Sequence, residues 1–446
     1  MPADPAQIDI TDLSHDGRGV GHLEGKAVFV HGALPGETVR FRYLRRTRKL
    51  DEGVCVEVLE ASPDRVSPRC PHFHDCGGCS LQHMEPLAQI LAKQNVLVEN
   101  LRRIGGVEPE QLLPPVMAAD EAGHWGYRRK ARLSVRYVAK KGRVLVGFRE
   151  KQGRFVCDMS ECHTLIPEVG MRLAELSDLI YGLEAREQIP QVELAVGDHA
   201  TVLVFRNLQP LSMADREALL EFQRSSGFHV YLQPKGPATI HPLGEPVELT
   251  YRLDQYDLDY HFTPTNFVQV NAAINQTMIA QALAKLELGP DDRVLDLFCG
   301  LGNFTLPAAR QCGHIVGVEG DQELVQLAQA NARSNGIENA RFEVADLRED
   351  SDGKAWAAQP FDKVLLDPPR SGAAEVLERV AGFQARRLVY VSCHPGSLAR
   401  DAGVLVKEHG YRLAEAGVMD MFPQTAHVES IALFLKGDEQ GSGHGG

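Results

Sequence analysis

The chain has 446 residues, of which 43% are hydrophobic and 24% charged, and its formal net charge at pH 7 is −13. These values are ordinary for a globular protein and predict two or three domains. No apolar run approaches about 18 residues and the N-terminus does not resemble a leader, so we expect no membrane span, no secretion signal and a cytoplasmic protein. In that compartment the nine cysteines are reduced, and clustered ones indicate metal binding or catalysis rather than disulfides.

Residues 1–62 alternate short β-patterned runs with glycine turns. KAVFV, TVRFRYL and VCVEVLE read as strands, and their spacing predicts a small barrel. One strand continues into a basic run without an acid, which contains Arg40, Arg42, Arg45, Arg46, Arg48 and Lys49. Such a run is often a solvated face, but on a small β-barrel it favours contact with phosphates, although the acidic whole chain argues against nucleic acid on average.

A cysteine cluster follows a linker. RCPHFHDCGGCSLQH places Cys70, Cys76 and Cys79 in a C-x5-C-x2-C spacing, which suits a tight metal loop. The loop lacks a fourth ligand, for which Cys157 and Cys162 are the candidates. Spacing alone leaves zinc and an iron–sulfur cluster open. Three further cysteines are predicted to pack in cores: Cys55, Cys299 and Cys312.

The central part of the chain predicts a helix and a second basic stretch. Residues 86–104 have helical spacing, a glycine pair follows, and we expect the helical segment of about 86–117 to pack on the C-terminal domain. Residues 126–154 contain eleven Lys or Arg and only Glu150 as an acid. Their alternation predicts strands with many of the cations on one face. Residues from about 165 to 260 show mixed α/β character without identifiable chemistry.

The C-terminal part alternates apolar strands with helices. RVLDLF, HIVGVE, ARFEVA, DKVLLD and RLVYVS read as strands, with helices at about 303–311, 322–335, 373–382 and 396–408. This pattern predicts a doubly wound, mainly parallel sheet. YRLAEAGVMDMF and SIALFLK predict two closing strands, and residues 438–446 read as a disordered tail.

The first strand of this sheet leads into a glycine turn, VLDLFCGLGNF. Gly300 and Gly302 allow a ligand to approach the backbone, but a dinucleotide fingerprint would need a third glycine and a P-loop would need a lysine. Glu319 closes the next strand, where a carboxylate can accept hydrogen bonds from ribose hydroxyls. Asp346 and Asp367 close the following two. Acids at three successive strand ends around a glycine turn resemble the S-adenosylmethionine site of class I methyltransferases.

RLVYVS delivers Cys393 to the edge of the sheet where ligands bind. A lone cysteine is often only packing. Beside a methyl donor, however, a thiolate can add to C6 of a uracil and so make C5 nucleophilic, after which a base must remove the C5 proton. Glu429, at the start of the closing strand, is the candidate base.

FTPTNFVQVN, DLFCGLGNF, LLDPPRSG, YVSCHPGSLARD and FPQTAHVESIALF match, in order, the RNA uracil-C5 methyltransferases. This resemblance covers nearly the whole chain and implies Cys393 as nucleophile and Glu429 as base. It implies a cofactor site, also lined by Gly300, that contains Gln269, Phe298, Asn303, Glu319, Asp346 and Asp367. It also selects Cys162 as the fourth ligand, after Cys70, Cys76 and Cys79, of a [4Fe–4S] cluster.

The N-terminal GRGVGHLEGKAVFVHGALPGE resembles a TRAM domain, an OB-like RNA-binding module. A TRAM domain together with the cysteine cluster resembles the branch of the family that methylates 23S rRNA. We therefore expect a TRAM barrel (1–62), a central iron–sulfur α+β domain (63–262) and a Rossmann-like methyltransferase domain (263–437), with rRNA but no membrane and no obligate protein as partner. The alternatives are methylation of tRNA or of another rRNA site, and a non-catalytic RNA-binding or chaperone role.

Overall fold

The computed structural model describes residues 5–119, 121–348, 354 and 356–437, so the predicted tail lies outside the described residues. The N-terminal unit has six strands: β1 (Ala6–Asp9), β2 (Asp12–Leu13), β3 (Gly19–Leu23), β4 (Lys26–His31), β5 (Thr38–Arg46) and β6 (Leu50–Glu60). They pair in the order β1-β5-β6-β4-β3-β2. The sheet curls until β3 touches β1, where a Cβ on Gly21 would lie 2.3 Å from the carbonyl oxygen of Asp9. This confirms the predicted small barrel.

The two-residue alternation of the strands fills this barrel. Val39 and Phe41 of β5 are fully buried and pack with Val28 and Val30 of β4. The residues between them, among them Arg40, point outward because neighbouring side chains of a strand face opposite sides. The basic run therefore lies on the outer face of the barrel.

Helix α1 (Pro86–Asn100) begins where the sequence predicted it. The Glu85 carboxylate accepts hydrogen bonds from the N–H groups of Leu87 (2.7 Å) and Ala88 (3.2 Å). Proline stands at the first helical position, where its missing N–H costs no hydrogen bond. These features fix the start of the helix.

The helix ends close to the predicted residue 104. A π-helical turn, Leu101–Gly105, continues α1, and Gly106 stops it in the left-handed conformation (φ 61°). The rest of the segment that was expected to be helical up to about 117 contains only a short strand, β7 (Gln111–Leu112). The glycine pair ends the helix because glycine adopts positive φ without strain.

The central sheet comprises β8 (Lys130–Val138), β9 (Arg143–Gly147), β10 (Gln191–Val196), β11 (Thr201–Arg206), β12 (His229–Gln233) and β13 (His241–Pro242), in the order β13-β12-β11-β10-β8-β9. Its helices are α2 (Pro167–Gly170), α3 (Leu173–Gly182) and α4 (Met213–Ser226). Ala131, Leu133 and Val135 of β8 are buried, whereas Arg132 and Arg136 are exposed on the opposite face. The predicted alternation of the second basic stretch is therefore present.

A hairpin and a helix lead into the C-terminal sheet: β14 (Leu249–Leu253), β15 (Leu258–Phe262) and α5 (Ala272–Leu286). Short 3-10 turns occur at Glu121–His124, Ala139–Lys141, Pro237–Thr239, Asp254–Tyr256 and Ala374–Val376. Within the described ranges, no helix combines the length and the apolar character that crossing a membrane requires.

The C-terminal sheet contains the strands β16 (Arg293–Leu297), β17 (His314–Glu319), β18 (Ala340–Val344), β19 (Lys363–Leu366), β20 (Arg387–Ser392), β21 (Tyr411–Met419) and β22 (Glu429–Lys436). Its helices are α6 (Thr305–Ala309), α7 (Gln322–Ser334), α8 (Leu377–Gly382) and α9 (Pro395–Lys407). The order is β18-β17-β16-β19-β20-β22-β21-β7, parallel from β18 to β20. The strand order reverses between β16 and β19, so the carboxyl ends of these strands form the crevice in which doubly wound sheets bind ligands.

Helix α1 packs on this C-terminal sheet against α9 and β21. The close approach needs two glycines, because a Cβ on Gly105 would lie 2.4 Å from the carbonyl oxygen of Ala399, and one on Gly403 would lie 2.7 Å from that of Gly105. Strand β7 then pairs with β21 at the sheet edge. The segment before the central sheet is thus part of the C-terminal core.

Candidate active site

The carboxyl edge of the parallel strands collects most of the side chains that the sequence predicted for the site. Strand pairing sets Leu297 beside Val318 and Leu366, and Leu366 beside Tyr390. The residues that follow these positions therefore share one edge. They are Phe298 after β16, Glu319 at the end of β17, Asp367 after β19 and Cys393 after β20.

The loop after β16 has an unusual backbone. Phe298 (φ 65°), Gly300 (φ 54°) and Gly302 (φ 86°) all lie in the left-handed region. This conformation strains a phenylalanine, and such strain occurs mainly where function requires the geometry. The Glu319 carboxylate holds the loop by accepting hydrogen bonds from the N–H groups of Gly300 (3.2 Å) and Gly320 (2.7 Å). Loop and carboxylate thus form one concave site.

Asp296, inside strand β16, belongs to this site and was missed by the sequence reasoning. One carboxyl oxygen accepts a hydrogen bond from the Thr305 hydroxyl (2.5 Å), and the other, Oδ1, has no hydrogen-bond partner among the residues that the structure describes. Burial, followed by the nearby Asp367 and Glu319, raises the pKa of Asp296 to about 8. A carboxylate within the apolar run VLDLF was the signal that could have identified it.

Asn303 and Gln269 lie at one side of the glycine loop. The Asn303 amide exchanges two hydrogen bonds with the amide of Asn275 (2.9 and 3.0 Å), and it accepts a third from the Tyr251 hydroxyl (3.3 Å). Tyr251 and Asn275 also line a pocket of about 200 Å³ that contains Gln269. The structure therefore connects these two residues through shared neighbours.

Asp346 differs from the other predicted acids because it is exposed and already paired. Its carboxylate accepts hydrogen bonds from the Arg348 side chain (2.8 and 3.0 Å) and from the Arg348 N–H (3.0 Å). These bonds lower the pKa of Asp346 to about 2. It is therefore fully charged at neutral pH at the outer end of the crevice.

Cys393 and Glu429 lie side by side. Ser392 of β20 pairs with Ser430 of β22, and the Ser430 hydroxyl donates a hydrogen bond to the Ser392 carbonyl (2.9 Å). Cys393 and Glu429 occupy the adjoining positions and hence the same face. Burial and the neighbouring Asp367 raise the pKa of Glu429 well above its usual range. Burial and both acids raise the pKa of Cys393, and burial raises that of Asp367 to about 7.

A cation opposes this shift at the thiol. The Arg370 side chain is close enough to Cys393 for its charge and hydrogen bond to lower the pKa of the thiol. Arg370 also contacts the ring of His427 (Nη2 to Nδ1, 3.4 Å). Neither residue was predicted as part of the site, although the motifs DPPR and FPQTAHVES contain them. The nucleophile thus has a buried acid and a guanidinium as immediate neighbours.

The predicted metal ligands gather around a second, enclosed pocket, formed by the cysteine loop (residues 70–84) and the segment that follows Met159. Its lining includes Cys70, Cys76, Cys79 and Cys162. Cys157 is buried nearby but does not belong to the residues that line this pocket. Among the residues described by the structure, no group of three or more Cys, His, Asp or Glu side chains converges in a way that could hold a metal ion.

The donor set of this pocket consists of thiols with polar neighbours. The Gly78 N–H donates to the Cys76 sulfur (3.3 Å), and the Cys162 sulfur lies 3.3 Å from the Thr164 hydroxyl. Burial raises the pKa of Cys76 and Cys79 to about 12. Thiols so buried ionise when a metal centre stabilises the thiolate, so the residues present fit a thiolate-bound metal group.

The two basic stretches are less positive than their sequence suggests, because acids from neighbouring strands and loops approach them. In the first, Arg40 pairs with Glu57 (2.8 Å), and Arg46 pairs with Asp51 (3.5 Å) while lying over the Tyr43 ring. In the second, the cations with ion pairs include Arg129, Lys130, Arg132, Lys141 and Arg143. The cations therefore share a face as predicted, but ion pairs with these acids reduce the net positive charge of that face.

Comparison with known proteins agrees with this arrangement. The tRNA (uracil-5-)-methyltransferase family model matches residues 186–437, and the TRAM domain model matches residues 6–42. The 23S rRNA (uracil(1939)-C(5))-methyltransferases RlmD of Xanthomonas campestris pv. campestris (strain 8004) and Stenotrophomonas maltophilia (strain R551-3) are 55% and 56% identical over 97% of each chain.

A solved structure has the same architecture over almost the full length. The Pyrococcus abyssi tRNA (uracil-54, C5)-methyltransferase in complex with S-adenosyl-L-homocysteine is 26% identical, covers 96% of this chain and 100% of its own, and has a TM-score of 0.72. The Rossmann-like sheet and the N-terminal barrel are thus shared. With its thiol and carboxylate at the rim of that sheet, the chain belongs to the tRNA (uracil-5-)-methyltransferase family.

Proposed function

We propose that this protein transfers a methyl group from S-adenosylmethionine to C5 of a uridine in 23S rRNA, at the site equivalent to uracil 1939. The observation that carries the proposal is the placement of Glu429 beside Cys393 on the rim of the methyltransferase sheet. Uracil C5 is a poor nucleophile, so its methylation needs a thiol to add to C6 and a base to remove the C5 proton. A binding protein needs neither group.

The reaction uses these two side chains in sequence. The Cys393 thiolate adds to C6, and the electron density that moves to C5 attacks the methyl group of S-adenosylmethionine, whose S–CH3 bond breaks as S-adenosylhomocysteine leaves. Glu429 then takes the C5 proton, the C5–C6 double bond re-forms and the C6–S bond breaks. Arg370 stabilises the thiolate, since its positive charge lowers the pKa of Cys393, which burial raises. Burial raises the pKa of Glu429, so its carboxylate binds a proton tightly once it is ionised.

The crevice fits S-adenosylmethionine, which supplies the methyl group. The residues proposed to hold it are Gln269, Phe298, Gly300, Asn303, Glu319, Asp346 and Asp367. The carboxylate of Glu319 closes the second strand, where ribose hydroxyls bind in such sheets. Oδ1 of Asp296, which has no hydrogen-bond partner among the described residues, adds a further polar atom that a ligand can contact. Support also comes from the S-adenosyl-L-homocysteine bound by the Pyrococcus abyssi relative.

We further propose that Cys70, Cys76, Cys79 and Cys162 hold a [4Fe–4S] cluster. Their common pocket supports this assignment. In such a cluster each iron takes one thiolate, so the four sulfurs need not converge on a single point as they do around zinc. Bound there, the cluster would cross-link the cysteine loop to the segment between β9 and α2, which contains Cys162.

We assign RNA binding to residues 1–62 and 63–262 and catalysis to 263–437. The TRAM match and the outward cations of β5 and β8 support the first assignment. The rRNA substrate of the relatives supports action in the cytoplasm, where ribosomes assemble. The second candidate substrate is tRNA, which is favoured by the structural likeness to the Pyrococcus abyssi enzyme.

Methyl transfer to defined RNAs tests the proposed function. Purified protein and methyl-labelled S-adenosylmethionine are incubated with unmodified transcripts of 23S rRNA and of tRNA, and 5-methyluridine is mapped in each product. We expect one modified uridine in 23S rRNA and none in tRNA. Modification of tRNA alone would select the second candidate, whereas tight RNA binding without methyl transfer would support a chaperone-like protein.

A further inference from the structure

The loop that leads into Glu429 is hydrogen-bonded to the cysteine loop. This active-site loop comprises residues 420–428. Its Gln424 carbonyl accepts hydrogen bonds from the N–H groups of Ser80 and Leu81, both 3.0 Å long. The Ala426 N–H donates to the Ser80 hydroxyl (2.8 Å). The active-site loop is therefore attached to the residue that directly follows Cys79, a proposed cluster ligand.

One buried side chain of helix α1 joins the two loops. The Gln89 amide nitrogen lies within hydrogen-bond distance of the carbonyl oxygens of Leu81 (3.1 Å) and Met84 (2.8 Å) in the cysteine loop. The same nitrogen lies 3.1 Å from the side-chain oxygen of Gln424, and the Gln89 oxygen accepts the Gln424 N–H (3.0 Å). Gln89 is 1% exposed, so water cannot replace these bonds.

The conformation of the active-site loop depends on these partners. Gln424 is buried and has φ 69°, which is strained for a residue other than glycine and persists only where the surroundings enforce it. The N-terminal barrel closes the junction from a third side. A Cβ on Gly17 would lie 3.0 Å from the Leu81 side chain and 3.3 Å from that of Ala426. The junction thus leaves little space for an alternative loop path.

We propose that Gln89 is a positioning residue for the removal of the C5 proton, because it clamps the active-site loop, and with it Glu429, onto the cysteine loop. The proposal rests on the proposed role of Glu429 as the base. Cys393 is fixed separately: the ring of His394 accepts the Ser397 N–H (3.1 Å) and caps helix α9. Loss of the clamp should therefore spare thiol addition and methyl transfer and impair the last step, in which Glu429 takes the proton and the thiolate leaves C6.

Gln89→Met tests the clamp, because methionine has a similar volume but neither donates nor accepts these bonds. The matched control is Gln94→Met on the same helix, since the Gln94 amide oxygen has no hydrogen-bond partner within the described part of the chain. In single turnovers, full-length protein reacts with a 23S rRNA transcript that carries tritium at C5 of its uridines and with carbon-labelled S-adenosylmethionine. We expect Gln89→Met to release tritium about tenfold more slowly than wild type, with methyl transfer within about twofold.

The two labels separate the possible outcomes. Equal slowing of methyl transfer and tritium release in Gln89→Met would show a general structural role and overturn the proposal, as would two unchanged rates. A wild-type protein that transfers no methyl would instead overturn the proposed function. Methyl transfer by wild type with normal tritium release in Glu429→Gln would remove the role of Glu429 as base.

Hydrogen exchange gives a second readout that does not depend on activity, and it applies even if Gln89→Met does not fold. Ser80→Ala removes only the acceptor of the Ala426 N–H. We expect faster exchange at residues 420–428 in Ser80→Ala and in protein from which the metal has been removed by chelation, with residues 387–393 unchanged. If the exchange rates of the active-site loop in Ser80→Ala and in the metal-depleted protein equal those of the untreated wild type, the two loops are not coupled.

Discussion

Glu429 stands next to Cys393 because their strands pair antiparallel, with Ser392 opposite Ser430. Backbone hydrogen bonds of the sheet therefore set the register that places the thiol and the carboxylate next to each other. A shift of the register by one residue would turn both side chains to the opposite face. The geometry also places both groups in a buried region, where burial raises the pKa of each and Glu429 further raises that of Cys393.

Replacement of the nucleophile should abolish the chemistry and preserve binding. We expect Cys393→Ala to bind S-adenosylmethionine and RNA with affinities within about threefold of wild type and to transfer no methyl, since C5 is not activated without addition at C6. Binding is measured by calorimetry and transfer by incorporated label. Cys312→Ala, which removes a buried thiol from the turn between α6 and β17, is the control. Activity above a few per cent in Cys393→Ala would exclude the thiol as nucleophile.

Replacement of the base should trap the intermediate. In Glu429→Gln, thiol addition and methyl transfer can still occur, but nothing takes the C5 proton, so the C6–S bond persists. A protein–RNA adduct should then accumulate and withstand denaturing electrophoresis. In Cys393→Ala combined with Glu429→Gln the adduct should disappear. Rapid turnover without adduct in the single variant would assign the proton transfer to another residue.

The parts of the site that could be predicted from the sequence are those whose position depends only on neighbouring residues in the chain. An apolar strand that ends in Glu319 or Asp367 identifies its own carboxyl edge, and parallel pairing brings such edges together. Partners distant in sequence leave no comparable pattern. Gln89 and Gln424, for example, are 335 positions apart. The acids that form ion pairs with the basic stretches likewise come from other segments of the chain. These contacts are products of packing and appear only in the folded chain.

The proposed [4Fe–4S] cluster can be tested by the colour and the iron content of the protein. The anaerobically purified protein should be brown and contain about four irons per chain. Serine in place of Cys70, Cys76, Cys79 or Cys162 should bleach the protein, because an alkoxide is a poor substitute for a thiolate at iron. Cys157→Ser is the control and should keep both colour and iron. A colourless protein with one zinc per chain would contradict the cluster and indicate a site for a single zinc ion.

The half-buried acid Asp367 predicts a pH-dependent stability. Its pKa is about 7 in the folded protein, above the ordinary aspartate value of 3.8, so the folded state binds the proton more tightly. Above pH 7 the folded state holds a buried charge and is destabilised, and this penalty disappears as the pH falls from 7 towards 4. Asp367→Asn should therefore raise the free energy of unfolding at pH 8 by on the order of 2 kcal/mol, less than the full shift because the side chain is partly exposed, and leave it unchanged near pH 4.

Asp346 serves as the control, because its replacement by Asn should change the stability at pH 8 in the opposite direction. Hydrogen bonds from Arg348 lower the pKa of Asp346 to about 2, so ionised Asp346 stabilises the fold above its unfolded pKa. Asp346→Asn should slightly lower the melting temperature at pH 8. Both variants are followed by thermal unfolding in the absence of cofactor. A lower melting temperature of Asp367→Asn at pH 8 would contradict the assigned burial of that charge.

The last prediction concerns how an acidic protein binds RNA. Arg45, Arg46 and Arg48 are exposed at the end of β5 and the turn that follows it. Each phosphate contact that is lost lowers both affinity and its dependence on salt, because fewer counterions are released from the RNA. Gln in place of all three arginines should raise the KM for 23S rRNA, flatten its salt dependence and leave S-adenosylmethionine affinity unchanged.

The effect on kcat separates binding from positioning. If the barrel only attracts RNA, kcat at saturating RNA stays constant; if it also places the uridine for extrusion towards Cys393, kcat falls as well. We expect a large change in KM and a smaller one in kcat. The matched control removes three arginines outside both basic stretches, Arg206, Arg216 and Arg224, with the same change in net charge. If the two triple variants have equal salt slopes, the N-terminal barrel does not lie on the RNA path, because net charge alone would then account for the result.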